Sequence, residues 1–286
     1  MNDQLTTAET EAMFESVARA LSEDIGGGDV TAALVPHDKH GLAHVVAKES
    51  GVLCGTPWFD RVFAALDPGV RVSWARHDGD RVEVGDEVCR LEGRARTLLT
   101  GERAALNFLQ TLSGTATVTR RYADQLADTP CQILDTRKTL PGLRLAQKYA
   151  VRVGGGKNHR MGLYDMVLIK ENHIAAAGSI GAAVAVARET APDLPIEVEV
   201  ESMAQLDDAV AARVDRVMLD EFSDEDMLRA VECVHAIDGP RPAIEVSGNV
   251  TLERLRGIAA TGVDFISSGA LTKHVRALDL SMRMLN

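Results

Sequence analysis

Short apolar runs in the second half of the chain alternate with stretches of helical period, and each run ends in a polar residue that chemistry could use. Strand, helix and strand in repeated succession predict a parallel sheet or barrel. The polar strand ends fall at positions 137, 170, 199, 220, 247 and 268, which places them 21 to 33 residues apart. This spacing fits the βα units of an α/β barrel, although six units fall short of the usual ~8 strands. We therefore predict an incomplete parallel α/β barrel of about six βα units.

The first half of the chain has a different pattern, with shorter alternating runs and tight turns. Strands are predicted at 43–47, 70–74, 82–84 and 88–91, and helices after Thr7, at 57–66 behind Thr56, and at 101–112 behind Thr100. This mixture predicts an open α+β sandwich. We expect an N-terminal α/β sandwich domain over 1–112 and the barrel over 113–274, while the C-terminal segment of about 275–286 could pack back on the first domain.

Composition narrows the function classes. The 286 residues are enough for two domains with cores of their own, and the net charge of −11 argues against a nucleic-acid-binding surface. No apolar run reaches the ~18 residues that a membrane span needs, and the acidic start of the chain lacks the apolar core of an export signal. The four cysteines lie far apart and are typical of reduced thiols. We therefore expect a cytoplasmic protein that binds neither nucleic acid nor membrane.

The polar strand ends would meet at one place, because active sites of α/β barrels lie where the carboxyl ends of the strands converge. Two Gly/Ser loops there precede helix starts, and backbone N–H groups at such positions suit a phosphate. In an acidic chain a cluster of cations stands out, and together with two carboxylates it predicts a polyanionic, phosphorylated substrate and a metal ion. The predicted mouth contains Thr136, Arg137, Lys138, Lys170, Glu199, Asp220, the loop Ser247-Gly248-Asn249 and the loop Ser267-Ser268-Gly269.

Two strand-end residues allow more than one interpretation. Lys170 follows the apolar run Val167-Leu168-Ile169, so it could form a Schiff base or bind an anionic group. Glu199 could share a cation with Asp220 at the end of the next strand, or it could lie on a solvated strand face. A strand inside a barrel is covered on both sides, however, so a glutamate there needs a partner.

The glycine-rich segment 153–160 resembles a phosphate-binding loop, but it lacks the Ser or Thr that should follow Lys157. It is either a mobile connection that delivers His159 and Arg160 to the mouth or an ordinary exposed loop. The sequence does not distinguish between these two interpretations.

Several motifs together resemble the quinolinate phosphoribosyltransferases, also called nicotinate-nucleotide pyrophosphorylases (carboxylating). The match runs in order over nearly the whole chain. The motifs are Glu23-Asp24 with Gly28-Asp29-Val30-Thr31, Gly101-Glu102-Arg103-Ala104-Ala105-Leu106-Asn107, Asp135-Thr136-Arg137-Lys138-Thr139, Gly156-Lys157-Asn158-His159-Arg160, Leu168-Ile169-Lys170-Glu171-Asn172-His173, Glu197-Val198-Glu199-Val200 and Met218-Leu219-Asp220.

The resemblance implies a reaction and a set of roles. It implies that quinolinate and phosphoribosyl pyrophosphate give nicotinate mononucleotide, pyrophosphate and carbon dioxide, with Mg²⁺ required. It also implies a homodimer or higher homo-oligomer in which Arg103 acts in the partner's site. The expected catalytic residues are Lys138, Lys170, Glu199 and Asp220, the last two also holding Mg²⁺ directly or through the substrate. The expected substrate-binding residues are Arg103, Thr136, Arg137, Lys138, His159, Arg160, Lys170, Ser247, Gly248, Asn249, Ser267, Ser268 and Gly269.

Two alternatives stay open at this point. One is a related phosphoribosyltransferase with another acceptor, such as the ModD-like relatives attached to molybdate transport. The other is a barrel lyase that uses Lys170 as a Schiff base. A binding protein without catalysis ranks third, because so many converging charges are costly to hold for structure alone.

Overall fold

A computed structural model describes residues 4–285 and divides the chain into two compact units. One unit comprises the chain up to Arg120, the segment Thr139–Gly155 and the chain from Leu271 onward. The other comprises Arg121–Lys138 and Gly156–Ala270. Each unit has a sheet of its own, so the predicted mixed α/β class is confirmed. The domain bounds at 1–112 and 113–274 stay a prediction.

The elements follow one another along the described residues in this order. The helices are α1 (Thr7–Ile25), α2 (Thr56–Leu66), α3 (Ala95–Leu126), α4 (Arg144–Val153), α5 (Glu171–Ala177), α6 (Ile180–Thr190), α7 (Met203–Ala211), α8 (Asp224–His235), α9 (Leu255–Ala260) and α10 (Ala270–Lys273), with a short 3₁₀ helix at Ala32–Leu34. The strands are β1 (His40–Ala47), β2 (Gly51–Val52), β3 (Arg71–Trp74), β4 (Arg81–Val82), β5 (Glu87–Arg94), β6 (Gln132–Leu134), β7 (Val167–Ile169), β8 (Ile196–Val200), β9 (Arg216–Asp220), β10 (Ala243–Ser247), β11 (Phe265–Ser267) and β12 (Leu280–Leu285).

The first unit contains a four-stranded antiparallel sheet in the order β12-β1-β5-β3. Alternate residues of β1 are buried, as expected when one face of an antiparallel sheet packs on a core. That core includes Trp58, Phe59 and Phe63, three large side chains of α2 that are almost completely buried. The last strand, β12, comes from the C-terminal segment and pairs with β1, with Leu285 opposite Leu42.

Two helix starts in this unit differ from the prediction. Thr56 is the first residue of α2, and the cap position is taken by Gly55, whose backbone has a left-handed conformation. The backbone N–H groups of Gly55 and Thr56 both donate to the Asp78 carboxylate at 3.0 Å. Thr100 lies inside α3, which begins directly after β5, and its hydroxyl donates to Asp29 at 2.8 Å. In both cases the polar partner is distant in sequence.

The second unit contains the predicted parallel sheet, with six strands in the order β6-β11-β10-β9-β8-β7. Parallel pairing sets Ser247 opposite Asp220 and Glu199 opposite Met218, so neighbouring strands finish at about the same level. All five residues of β8 are buried, because helices cover a parallel sheet on its outer side. Within the described residues β6 and β7 are the two sheet edges, and the barrel is therefore incomplete. No helix within 4–285 has the length and apolar character needed to cross a membrane.

Candidate active site

A cavity of about 340 Å³ opens at the carboxyl ends of the barrel strands. Nine of its lining residues are predicted site residues, seven from the predicted mouth and two from the glycine-rich segment, and Leu168 and Met218 supply apolar surface. The nine are Thr136, Arg137, Lys138, His159, Arg160, Lys170, Glu199, Ser247 and Ser267. These nine side chains come from the ends of five strands and from one loop, and they line a single cavity.

The remaining predicted residues of the barrel lie at the same strand ends. Asp220 is the last residue of β9, and Gly248 and Asn249 directly follow β10. Gly248 has φ +83°, and a Cβ there would lie 2.8 Å from Glu221 Cγ and 3.3 Å from Asp220 Oδ1. The loop after β10 therefore runs close to the Asp220 carboxylate and accepts only glycine at this point.

The loop after β11 lies beside the Lys138 side chain. A Cβ on Gly269 would come within 2.9 Å of Lys138 Cδ, and Ser268 donates its backbone N–H to the Leu134 carbonyl at 3.0 Å. The Thr136 hydroxyl in turn accepts the Lys138 N–H at 3.0 Å. The ends of β6 and β11 thus bring a cation, hydroxyls and backbone amides together, which is suitable for a phosphate.

The cavity surrounds Arg160 with conditions that disfavour its charge. Burial and the nearby positive charge of Arg137 lower the pKa of the Arg160 guanidinium from its usual value. The Lys170 ammonium forms an ion pair with the Glu199 carboxylate across adjacent parallel strands. Lys170 is thus the partner that a buried strand glutamate requires. An anion bound between Arg137 and Arg160 would relieve their repulsion.

The segment that carries His159 and Arg160 extends the edge of the sheet. Lys157 forms a parallel bridge with Leu134, donating its N–H to the Ile133 carbonyl at 2.9 Å. The fully buried Asp135 carboxylate accepts the backbone N–H of His159 at 2.9 Å and the Asn158 amide at 2.6 Å. Of the two interpretations left open, delivery to the mouth is correct, but the connection is held by backbone pairing. Asp135, although part of a recognised motif, was not among the predicted site residues.

A buried polar layer lies within the barrel next to the cavity and was also missed. We use this name for His159, Glu197, Arg216 and Glu245. His159 Nε2 lies 2.9 Å from Glu197 Oε2 and 3.4 Å from Glu245 Oε2, and Arg216 donates to Glu245 Oε2 at 3.0 Å. Both glutamates are completely buried. Only the requirement that a glutamate on a covered strand has a partner could have indicated this layer from sequence.

Each charge of the buried polar layer changes the pKa values of its neighbours. Burial lowers the pKa of His159, but the hydrogen bonds and charges of the two carboxylates act against burial and raise it. Burial and the neighbouring charge of Glu245 raise the pKa of Glu197. Against burial, hydrogen bonds from His159 and Ser267 and the Arg216 charge lower the pKa of Glu245. The Arg160 N–H donates to His159 Nδ1 at 2.7 Å, so Nδ1 carries no proton and the ring is a neutral imidazole with its proton on Nε2. This hydrogen bond favours the neutral ring and so opposes the pKa rise that the two carboxylates cause.

Arg103 is the one predicted site residue outside the barrel unit. It is exposed on α3 and makes no hydrogen bond or ion pair with the residues that the structure describes. Its predicted action in a partner's site, and the substrate-binding role expected for His159, stay predictions.

An incomplete α/β barrel with a cationic mouth and strand-end carboxylates defines a barrel enzyme that acts on a polyanionic small molecule. Two family models match the chain in order, the quinolinate phosphoribosyl transferase N-terminal domain over residues 29–113 and its C-terminal domain over 115–283. The chain therefore belongs to the quinolinate phosphoribosyltransferase family, as its motifs indicated.

Individual relatives agree with this membership. The chain is 46% identical over 266 residues to a probable nicotinate-nucleotide pyrophosphorylase [carboxylating] of Synechocystis sp., which covers 93% of this chain and 90% of that protein. It is 44% identical over 283 residues to a mitochondrial quinolinate phosphoribosyltransferase [decarboxylating] of Nicotiana tabacum, covering 93% and 80%. The solved structure of the nicotinate-nucleotide pyrophosphorylase from Francisella tularensis superposes with a TM-score of 0.93 at 43% identity, covering 99% of this chain and 98% of that one.

Proposed function

We propose that this protein transfers the phosphoribosyl group of phosphoribosyl pyrophosphate to quinolinate, releasing pyrophosphate and carbon dioxide and leaving nicotinate mononucleotide. The observation that carries the proposal is the gathering of Arg137, Lys138, Arg160 and Lys170 in one cavity of a chain whose net charge is −11. Membership of the quinolinate phosphoribosyltransferase family supports the same reaction.

Quinolinate carries carboxylates on two adjacent ring carbons. Arg137 and Arg160 lie close enough for the charge of Arg137 to lower the pKa of Arg160. Each guanidinium can form a bidentate pair with one carboxylate, so the two arginines can bind the two adjacent carboxylates of one quinolinate. Lys138 lies against the loop after β11, where its ammonium and the backbone amides suit phosphate oxygens. One half of the cavity would thus hold the pyridine acid and the other the sugar donor.

The reaction needs no nucleophilic side chain. The pyridine nitrogen forms a bond to C1 of the sugar as the bond from C1 to the pyrophosphate oxygen breaks, and positive charge develops at C1. Carboxylates placed near C1 stabilise that charge, and Glu199 and Asp220 are the candidates. The carbon–carbon bond to the 2-carboxylate then breaks, its electron pair is stabilised by the positively charged ring nitrogen, and a proton replaces the carboxylate.

The residues present fit a magnesium ion. Glu199 and Asp220 offer hard carboxylate oxygens at adjacent strand ends, the ligand type that Mg²⁺ prefers together with phosphate oxygens and water. We propose that these two residues hold Mg²⁺, directly or through the bound sugar donor. The ion would supply charge neutralisation to the leaving pyrophosphate.

We further propose a homodimer or higher homo-oligomer in which Arg103 of one subunit completes the site of another. The support is its exposed place on α3 without a partner among the described residues, together with the resemblance. A cytoplasmic location also stays a prediction, and the four free cysteines support it.

The Schiff-base alternative has less support. A Schiff base requires an unprotonated amine, whereas Lys170 is paired with the Glu199 carboxylate. Reduction with borohydride in the presence of a carbonyl substrate would trap a covalent adduct if this alternative were correct.

An assay with competing acceptors tests the proposed function. The purified protein receives phosphoribosyl pyrophosphate, Mg²⁺ and either quinolinate or nicotinate, and the nucleotide formed is separated and quantified. We expect a strong preference for quinolinate. Nicotinate lacks the second carboxylate, so its binding would leave one cation of the site unpaired. Equal use of nicotinate, or use of neither acid, would favour a relative with another acceptor.

A further inference from the structure

His159 lies at a junction between the mouth and the buried polar layer. Its backbone N–H donates to Asp135 Oδ1 at 2.9 Å, and its Nδ1 accepts the backbone N–H of Arg160 at 2.7 Å. Its Nε2 faces Glu197 of β8 and Glu245 of β10. The His159 imidazole therefore connects β8 and β10 to the backbone of Arg160, and the His159 backbone connects to Asp135 at the end of β6.

The two glutamates are costly for the fold. Both are completely buried. Glu197 Oε2 lies in close polar contact with His159 Nε2 at 2.9 Å, yet neither oxygen of Glu197, nor Oε1 of Glu245, has a hydrogen bond of good geometry. Buried ion pairs are often less stabilising than apolar residues of the same volume, so stability alone does not account for them. Incompletely satisfied charges beside a binding cavity indicate a role in that cavity.

From this geometry we propose that Glu197 and Glu245 are positioning residues for the acid-binding site: they hold the His159 imidazole, and His159 holds the backbone of Arg160. The proposal rests on the proposed function, because it assigns Arg160 to quinolinate. His159 then acts through Arg160, a role that differs from the direct contact with substrate that the resemblance implies.

A bound metal ion is the main competing explanation of the same cluster. The ligand atoms of His159, Glu197 and Glu245 all lie within 4.8 Å of one another. The Arg216 guanidinium, however, already occupies Glu245 Oε2 and stacks over the Phe265 ring at 4.5 Å. A cation supplied by the protein itself thus compensates the charge that a metal would neutralise.

The first test replaces each buried carboxylate by its amide. In Glu197→Gln and Glu245→Gln the side-chain shape is kept and the charge that holds Nε2 is lost, so Arg160 loses its fixed backbone position. We expect KM for quinolinate to rise about 10- to 100-fold, the scale for misplacing a binding group by ~1 Å, with a smaller effect on KM for the sugar donor. Glu201→Gln, at an exposed glutamate just after β8, serves as the matched control and should behave as wild type.

The second test asks whether the effect passes through Arg160. In an Arg160→Ala background the further change Glu245→Gln should raise KM for quinolinate little, because coupled residues are not additive. Fully additive effects would overturn the proposal, as would an unchanged KM for quinolinate in folded amide variants. Should an amide variant fail to fold, Glu197→Asp or Glu245→Asp keeps the charge, moves it, and should still raise that KM.

Two further measurements separate this proposal from the proposed function. With ¹⁵N-labelled histidine and His159→Gln for assignment, the His159 ring signal should show a protonated Nε2 and shift in Glu245→Gln. This signal tests the positioning even if the wild type does not use quinolinate, which would overturn the proposed function alone. One equivalent of a divalent metal, retained by the wild type through dialysis and lost in Glu245→Gln, would overturn the positioning proposal.

Discussion

The Lys170–Glu199 ion pair is the part of the cavity in which two predicted side chains meet directly. Glu199 is one-tenth exposed and Lys170 two-fifths, so the pair lies at the boundary between the barrel interior and the cavity. In the proposed reaction Lys170 is released toward an anion when substrate binds, and Glu199 then faces the sugar. In the protein without substrate, the ion pair therefore keeps both charged groups at the edge of the cavity.

Replacing the two proposed catalytic carboxylates by amides tests this role. Glu199→Gln and Asp220→Asn keep size and remove charge, so turnover should fall about 100-fold or more, the scale for losing one electrostatic stabiliser. Affinity for quinolinate should change little or improve, because a negative neighbour of a dianion is lost. Glu171→Gln, at an exposed residue next to Lys170, is the control. Near-normal turnover in both folded variants, measured beside quinolinate binding and melting temperature, would contradict the catalytic role.

Gly248 gives a backbone test of the loop after β10. Gly248→Ala places a methyl group at φ +83° and within 3.3 Å of Asp220 Oδ1, so the loop and the carboxylate must shift. We expect turnover to fall about 10- to 100-fold. The control is Gly257→Ala in α9, where no atom lies within 4 Å of the added carbon and helix propensity improves by ~1 kcal/mol. Equal activity of the two variants would show that the loop geometry does not matter.

The cavity residues could be predicted because an apolar run that ends in a polar residue fixes both the strand and the place of that residue. Lys170 and Glu199 are examples, and both line the cavity. The place of Arg216 and Glu245 in the buried polar layer could not be predicted. Their role depends on contact with His159, which lies on a loop from another part of the chain. The sequence contains no local signal for such a contact.

Helix starts also show that a local contact can be predicted from sequence and a contact with a distant segment cannot. The cap of α1 was predicted at Thr7, one residue from the actual cap Thr6, whose capping partner Glu9 lies only three residues away. The predicted start of α3 behind Thr100 was wrong, because α3 begins at Ala95. Thr100 is a residue type that often caps helices, but its hydroxyl donates to Asp29 of another segment. Local patterns thus predict local contacts, and long-range hydrogen bonds override them.

An ion pair with a buried carboxylate connects α1 to α4. Glu9 is 1% exposed and accepts both terminal nitrogens of Arg152, at 2.7 and 3.0 Å. Although burial raises the pKa of Glu9, the hydrogen bonds from Arg152 and Thr6 outweigh it, so that the net pKa is lowered. The pair therefore stabilises the fold most when Glu9 is ionised.

Glu9→Gln removes this charge while an amide can still accept the Thr6 N–H. At pH 7 the variant should lose about 2 to 4 kcal/mol of unfolding free energy, somewhat less than for a fully buried pair because Arg152 is partly exposed. A lowered folded pKa means that the contribution is complete above the unfolded pKa of ~4.3 and is lost as pH falls through the folded value. Urea titrations of both proteins from pH 7 downward should show the difference shrinking below pH ~4.3. A difference independent of pH, or an equal loss in the exposed control Glu11→Gln, would contradict this account.

A shared active site has a consequence for mixed oligomers. Arg103→Ala and Lys138→Ala proteins should each be nearly inactive alone, because each lacks one part of every site. After subunit exchange in an equal mixture of dimers, half of the dimers are hybrids with one intact site of two, so activity should approach about a quarter of wild type. Exchange must be verified separately, for example by native mass spectrometry. No recovery after verified exchange would show that Arg103 acts within its own subunit.

The assignment of the chain as a decarboxylating phosphoribosyltransferase is tested most directly by stoichiometry. Quinolinate labelled with ¹⁴C in its 2-carboxylate is incubated with the protein, phosphoribosyl pyrophosphate and Mg²⁺, and the labelled carbon dioxide, nicotinate mononucleotide and pyrophosphate are measured in the same sample. We expect all three to appear in equal amounts, and none of them when either substrate is omitted. Nucleotide that retains the label, or carbon dioxide released without the sugar donor, would contradict the proposed reaction.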